Sequence, residues 1–158
     1  MTETLYYDGI ETPIGFLSIL ANDSFVRAIE FQEPIRKYSS PLTELVKREL
    51  MEYFAGTRQS FSFPTCAQGT PFEQNVWNAL LTVPFGSTSS YRKLAHLIGD
   101  TKAIRAVGRA NGANPIAIAI PCHRIIGGDG SLTGYAGGLW RKRWLLDHEA
   151  RISGHILF

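Results

Sequence analysis

A cysteine, a histidine and an arginine stand side by side in Pro121-Cys122-His123-Arg124-Ile125-Ile126, directly after the apolar run Ile116-Ala117-Ile118-Ala119-Ile120. A thiol attacks carbon only as its thiolate, and an imidazole or another positive group nearby is the usual means of deprotonating it. The small and β-branched residues predict a buried strand, and Pro121 ends its ladder for want of an N–H, so that Cys122 sits at a strand end. Neighbours in an extended chain point to opposite faces, so His123 is not expected to touch the Cys122 sulfur and a bridging water is the expected relay. Such an imidazole needs a group that fixes its tautomer and stabilises its charged form. Glu149, in Leu145-Leu146-Asp147-His148-Glu149, is a candidate, although residue type alone reads it more readily as a surface acid. By itself a Cys-His pair is more often a small buried thiol beside a surface imidazole.

The context of the pair decides between these readings. Ile120 to Ile126, with Asn114-Pro115 upstream and Gly134-Tyr135-Ala136-Gly137-Gly138 downstream, resembles the active-site signature of the 6-O-alkylguanine-DNA alkyltransferases, or methylated-DNA-protein-cysteine methyltransferases. The similarity runs from about Thr70 to Glu149. The resemblance implies a protein that extrudes an alkylated guanine from duplex DNA and moves the alkyl group to Cys122 in one irreversible, stoichiometric step; 4-O-alkylthymine is left open as a second substrate. It makes His123 the water-relayed base, Glu149 its partner, Tyr91 a donor near the purine with Lys142 in support, and Asn114 the tie between the DNA-binding helices and the active-site strand. It makes Tyr135 and the Ala136 amide the walls of the base pocket, with the carbonyls of Cys122 and Ile125 accepting from the exocyclic amine. It gives Arg105 the place of the extruded nucleotide, and it implies a ribonuclease-H-like fold for the first part of the chain. Neither cofactor nor metal is implied, and the ligands for the structural zinc of some relatives are missing. Two rivals remain: a cysteine hydrolase, whose nucleophile and histidine are not normally adjacent, and a non-reactive DNA-lesion-binding module, which would lack the cysteine.

The remaining sequence must position these groups. With 158 residues, 44% hydrophobic and 19% charged, the chain reads as globular, in one domain or two small ones, and its strand patterns followed by helical ones make it α/β. Its start lacks the basic and apolar stretches of a signal peptide and no run is long enough to span a membrane, which predicts a soluble cytoplasmic protein; no obligate protein partner is evident in the sequence, and the oligomeric state is left open. The cysteines, Cys66 and Cys122, match no zinc spacing, and Cys66 reads as part of a connector. Residues 1–85 carry 6 Lys and Arg against 10 Asp and Glu, whereas residues 86–158 carry 10 against 4. The basic excess thus falls in the half that holds Cys122, as an anionic partner would require.

Leu5 to Tyr7, Ile14 to Leu20 and Phe25 to Phe31 predict an antiparallel meander, followed by a helix from Pro41 to Gly56 and a further strand at Phe61 and Phe63. A domain boundary is expected between residues 68 and 69, dividing a scaffold, 1–68, from a mostly helical catalytic and DNA-binding domain, 69–158. Thr70-Pro71-Phe72-Glu73 is a capping box opening a helix that carries Phe72, Val76, Trp77, Leu80 and Val83. Ser90–Gly99 and Lys102–Asn111 form a helix-turn-helix pattern. Arg92, Lys102, Arg105 and Arg109, with Arg124 beside the thiol, are the expected DNA contacts. A last helix starts at about Leu139, and residues 151–158 read as an uninformative tail.

Overall fold

The computed structural model describes residues 2–154, and its chain forms two units: Met1–Gln68 with Pro115–Ala119, and Gly69–Asn114 with Ile120–Phe158. Residues 155–158 of the expected tail lie outside the described residues; Arg151 belongs to a helix.

In the first unit the strand alternation produces a three-stranded antiparallel sheet, β1 (Tyr6–Thr12), β2 (Gly15–Ala21) and β3 (Val26–Glu30), in sequential order. Ile10, Leu17, Ile19, Ala21, Val26 and Ile29 form its buried face. Helix α1 (Pro41–Ala55) covers that face with Val46, Leu50 and Tyr53, and it begins at a capping box between Ser40 and Thr43. Asp8 is buried with them, and it is paired: its carboxylate accepts from Thr43 Oγ1 at 3.2 Å and meets Lys47 Nζ at 3.3 Å.

Two expected strands are absent. Phe61 and Phe63 instead pack their rings at a tilt, Phe61 at 5.7 Å from Tyr53 and 5.3 Å from Phe63, and the segment that follows meets the sheet in a single bridge, Thr65 to Val26. Ile116 makes a single bridge to Ile29, after which the backbone turns, with Ile118 at φ 70°. A β-branched residue in that region is strained by roughly 1–3 kcal/mol, so surrounding packing holds it there. Ile116, Ile118 and Ile120 are all buried while Ala117 and Ala119 are not. The alternation in the sequence therefore recorded burial and not a hydrogen-bonded ladder.

The second unit is helical. Helix α2 (Pro71–Leu80) starts at the Thr70/Glu73 capping box and stops short of Val83. The pair α3 (Tyr91–Leu97) and α4 (Ile104–Gly112) packs against it, with Ser90 capping α3 and Gly99 at φ 78° turning the chain between them. Trp77 Nε1 donates to Ala110 O at 2.8 Å and so fixes the end of α4. Two short parallel strands, β4 (Ser89–Ser90) and β5 (Ile125–Ile126), tie the start of α3 to the segment after Cys122. Helix α5 (Leu139–Ser153) closes the unit. No helix of the described residues is long and apolar enough to cross a membrane.

Candidate active site

Cys122 does not end a strand; it opens a single turn of 3-10 helix, Cys122–Arg124, held by hydrogen bonds from Cys122 N to Ile120 O at 2.8 Å and from Arg124 N to Pro121 O at 3.1 Å. With three residues per turn, successive side chains fan out by about 120°, so adjacent residues need not face opposite ways. His123 and Arg124 accordingly converge on one carboxylate, that of Glu149 on α5. His123 Nε2 lies 2.7 Å from Glu149 Oε2, Arg124 Nε donates to Oε1 at 2.8 Å, and Arg124 Nη2 donates to Oε2 at 3.1 Å. The backbone N–H of Gly86 donates to Oε1 at 3.1 Å. Gly86 has φ 80°, and a Cβ there would stand 2.4 Å from Ser153 Oγ, so both conformation and space call for glycine.

This geometry sets the charges. Burial alone would raise the Glu149 carboxyl, but His123 and Arg124 outweigh it and hold it well below the usual carboxylate range. Burial lowers His123, with Glu149 opposing only in part, so the imidazole is neutral at rest. With Nε2–H donating to Glu149, Nδ1 carries the lone pair, and it has no hydrogen-bond partner among the described residues. Burial also raises the Cys122 thiol, against the opposing effects of Asn114 and of the Lys142 charge. The thiolate is therefore not preformed: the site rests as thiol and neutral imidazole, with a proton acceptor already oriented by an anion.

Arg124 requires a correction. Its guanidinium is buried, spent on Glu149 and, through Nη1, on Val83 O at 2.8 Å, so it is not a surface contact for DNA. It sits instead within the Glu149 cluster. Arg92, Lys102, Arg105 and Arg109 are exposed on α3, α4 and the turn between them.

Lys142 is fully buried, and its Nζ donates to the Thr133 carbonyl at 2.7 Å and the Gly134 carbonyl at 3.4 Å, which ties the glycine-rich loop to α5. Burial pulls it down to about 8, with Cys122 opposing. Arg141 Nη1 adds a bond to Gly137 O at 3.0 Å. Tyr91 shares its hydroxyl with Thr133, accepting from Oγ1 at 2.9 Å and donating to the carbonyl at 3.3 Å. The Tyr135 hydroxyl is buried, which raises it well above the ordinary phenol range, while Ala136 is exposed and Ile125 buried.

Asn114, just past α4, donates from Nδ2 to Ile120 O at 2.8 Å, and the segment it holds is a turn and not a strand. Sequence reasoning missed Asn111, which is buried on α4 and directs Nδ2 to Cys122 O at 3.4 Å. That carbonyl also accepts from Ile125 N, so the acceptor expected to meet a purine amine is already engaged. The signal for Asn111 was its position three residues before Asn114, on the same side of the helix end. No cluster of His, Cys, Asp and Glu among the described residues could hold a metal ion.

Comparison with known proteins gives concordant matches along the chain. Residues 71–151 match the family model described as 6-O-methylguanine DNA methyltransferase, DNA binding domain, and residues 5–67 match its ribonuclease-like domain. The methylated-DNA-protein-cysteine methyltransferase of Methanosarcina barkeri is 42% identical over 92% of this chain and 97% of its own. The corresponding protein of Mycobacterium tuberculosis is 44% identical over 92% of each chain. A crystal structure of M. tuberculosis OGT in complex with DNA superposes with a TM-score of 0.85 at 43% identity, covering 92% of this chain and 93% of that one.

Proposed function

The chain belongs to the 6-O-methylguanine DNA methyltransferase family, and from that premise we propose how its own residues carry the reaction. It is a single-use transferase that takes the alkyl group from 6-O-alkylguanine in double-stranded DNA onto its own cysteine. The observation that carries the residue assignment is the buried pairing of His123 Nε2 with Glu149 at 2.7 Å, directly after Cys122 in the chain, with His123 Nδ1 left as an acceptor.

The alkyl carbon of a stacked base is out of reach of any side chain, so the nucleotide must leave the stack first. Arg105 on the exposed side of α4 fills the gap, and Arg92, Lys102 and Arg109 neutralise phosphates. These roles are supported by exposure and by their shared helical pair. Tyr135 and Ala136 line the pocket, on the loop that Lys142 and Arg141 lace to α5. The Cys122 proton then passes to His123 Nδ1 through a water, and Glu149 stabilises the imidazolium. The sulfur forms its bond to the alkyl carbon as the carbon–oxygen bond breaks and its electron pair returns to the purine. Tyr91, with its hydroxyl beside Thr133, supplies a proton to the departing base and is reprotonated from solvent, to which His123 gives up the thiol proton, so that proton in effect replaces the alkyl group. The thioether that results is not cleaved by water, which makes the protein its own stoichiometric reagent. Residues 1–68 act as scaffold.

A titration of methylated duplex against protein tests this reading. Repaired base should plateau at one equivalent, and Cys122→Ser should bind the duplex and repair none. Product continuing beyond one equivalent would point to a turnover enzyme and overturn it.

A further inference from the structure

Helix α4 has two sides with different duties. Arg105 and Arg109 are exposed, whereas Val107, Ala110 and Asn111 are buried, Asn111 being only 3% exposed. Its Nδ2 reaches Cys122 O at 3.4 Å, while its Oδ1 is buried with no hydrogen-bond partner among the described residues. Exchanging the two ends of the amide would set Oδ1 against the carbonyl oxygen, acceptor against acceptor, so the donor end belongs where it is. One turn later Asn114 Nδ2 holds Ile120 O at 2.8 Å. The two asparagines thus grip the carbonyls on either side of Pro121, and the peptide that bears the sulfur hangs from the end of the helix.

An unpaired buried amide oxygen costs stability, and leucine would fill a similar volume without that cost. A polar group retained at a cost beside a reacting atom calls for a functional explanation. We propose that Asn111 is a positioning residue that couples α4 to the Cys122 backbone, so that a duplex seated on the helix and the attacking sulfur share one frame. This rests on the transfer reaction assigned above. Its role is distinct from that of Glu149: Asn111 does not titrate and acts on geometry alone.

The test compares wild type, Asn111→Leu and Asn111→Ala with methylated duplex under single-turnover conditions at saturating protein, together with affinity for the unmodified duplex, thermal stability and the pH dependence of the rate. Displacing the sulfur by a fraction of an ångström should slow transfer about tenfold in both variants. Duplex affinity should be unchanged, the rate should fall by the same factor across the neutral range, and Asn111→Leu should melt no lower than wild type. Asn111→Ala serves where leucine does not fold. A folded variant of either kind that transfers within about twofold of wild type would overturn the proposal. So would a loss of rate that comes with a shifted pH dependence, because opening the buried thiol and imidazole to water is what a merely structural asparagine would cause. A wild type that transfers nothing would overturn both this proposal and the reading beneath it.

Discussion

Replacing Glu149 by glutamine changes one atom and removes the anion on which the site converges. In the wild type the carboxylate accepts from His123 Nε2 at 2.7 Å, from Arg124 Nε and Nη2 at 2.8 and 3.1 Å, and from Gly86 N at 3.1 Å. Glutamine offers one acceptor oxygen and brings an NH2 group toward donors. The buried guanidinium of Arg124 then loses its counter-charge, and breaking such a pair from one side costs about 3–5 kcal/mol. For a chain of this size that is a melting temperature lower by roughly 6–20 °C. Transfer should slow by about 10²-fold to 10⁴-fold, the range that a well-supported base contributes, because the imidazolium is no longer stabilised. Affinity for unmodified duplex should hold, since the exposed arginines are untouched.

The acid limb gives an independent check on the same residue. A carboxyl held below its ordinary value of about 4.3 leaves the unfolded chain binding more protons in that window, so its stabilisation is complete above it and is lost as pH falls toward the depressed value. The glutamine variant should lose this part of the acid dependence. Rapid-quench repair of labelled duplex and thermal melts at several pH values measure both effects. A variant that repairs within about twofold of wild type and melts at the same temperature would refute the reasoning.

Arg124→Leu should lower stability by about 3–5 kcal/mol, having left Glu149 short of its partner, while the salt dependence of duplex binding stays as it was; a flattened salt dependence in binding titrations would return Arg124 to the DNA surface. Arg105→Lys keeps the charge and loses the flat guanidinium, so repair of duplex should suffer far more than repair of the free methylated base; equal effects in paired single-turnover assays would remove the intrusion role. Arg109→Ala should do the converse, reducing the slope of log affinity against log salt by about 1 with little effect on the rate at saturation.

Much of this was legible because local rules and tertiary structure agreed. The meander followed from alternation around Thr12-Pro13 and Asn22-Asp23, and the Thr70/Glu73 capping box fixed the start of α2. The paired helices α3 and α4 were visible from Ser90 and Gly99. What failed depended on partners distant in sequence. Arg124 reads as one more basic residue until Val83 O and Glu149, both from other segments, enclose it. Ile116 to Ile120 has a strand's pattern, yet only Ile116 finds a neighbouring strand, and Ile118 adopts a backbone that no β-branched residue advertises. Two basic residues follow Cys122 in the sequence, but both are consumed by Glu149, so burial raises the thiol. Asn111 carried only a positional signal, three residues before Asn114, because by type alone an asparagine near a helix end is most simply a cap.

The central claim is that Cys122 itself becomes the permanent acceptor of the alkyl group. Intact-mass measurement after incubation with methylated duplex, followed by peptide mapping, tests it most directly. The account predicts one added methyl group per chain, located on the peptide containing Cys122, with Cys66 unmodified and no gain in Cys122→Ser. Repair of the base without any gain in protein mass, or a methyl group found on Cys66, would contradict it.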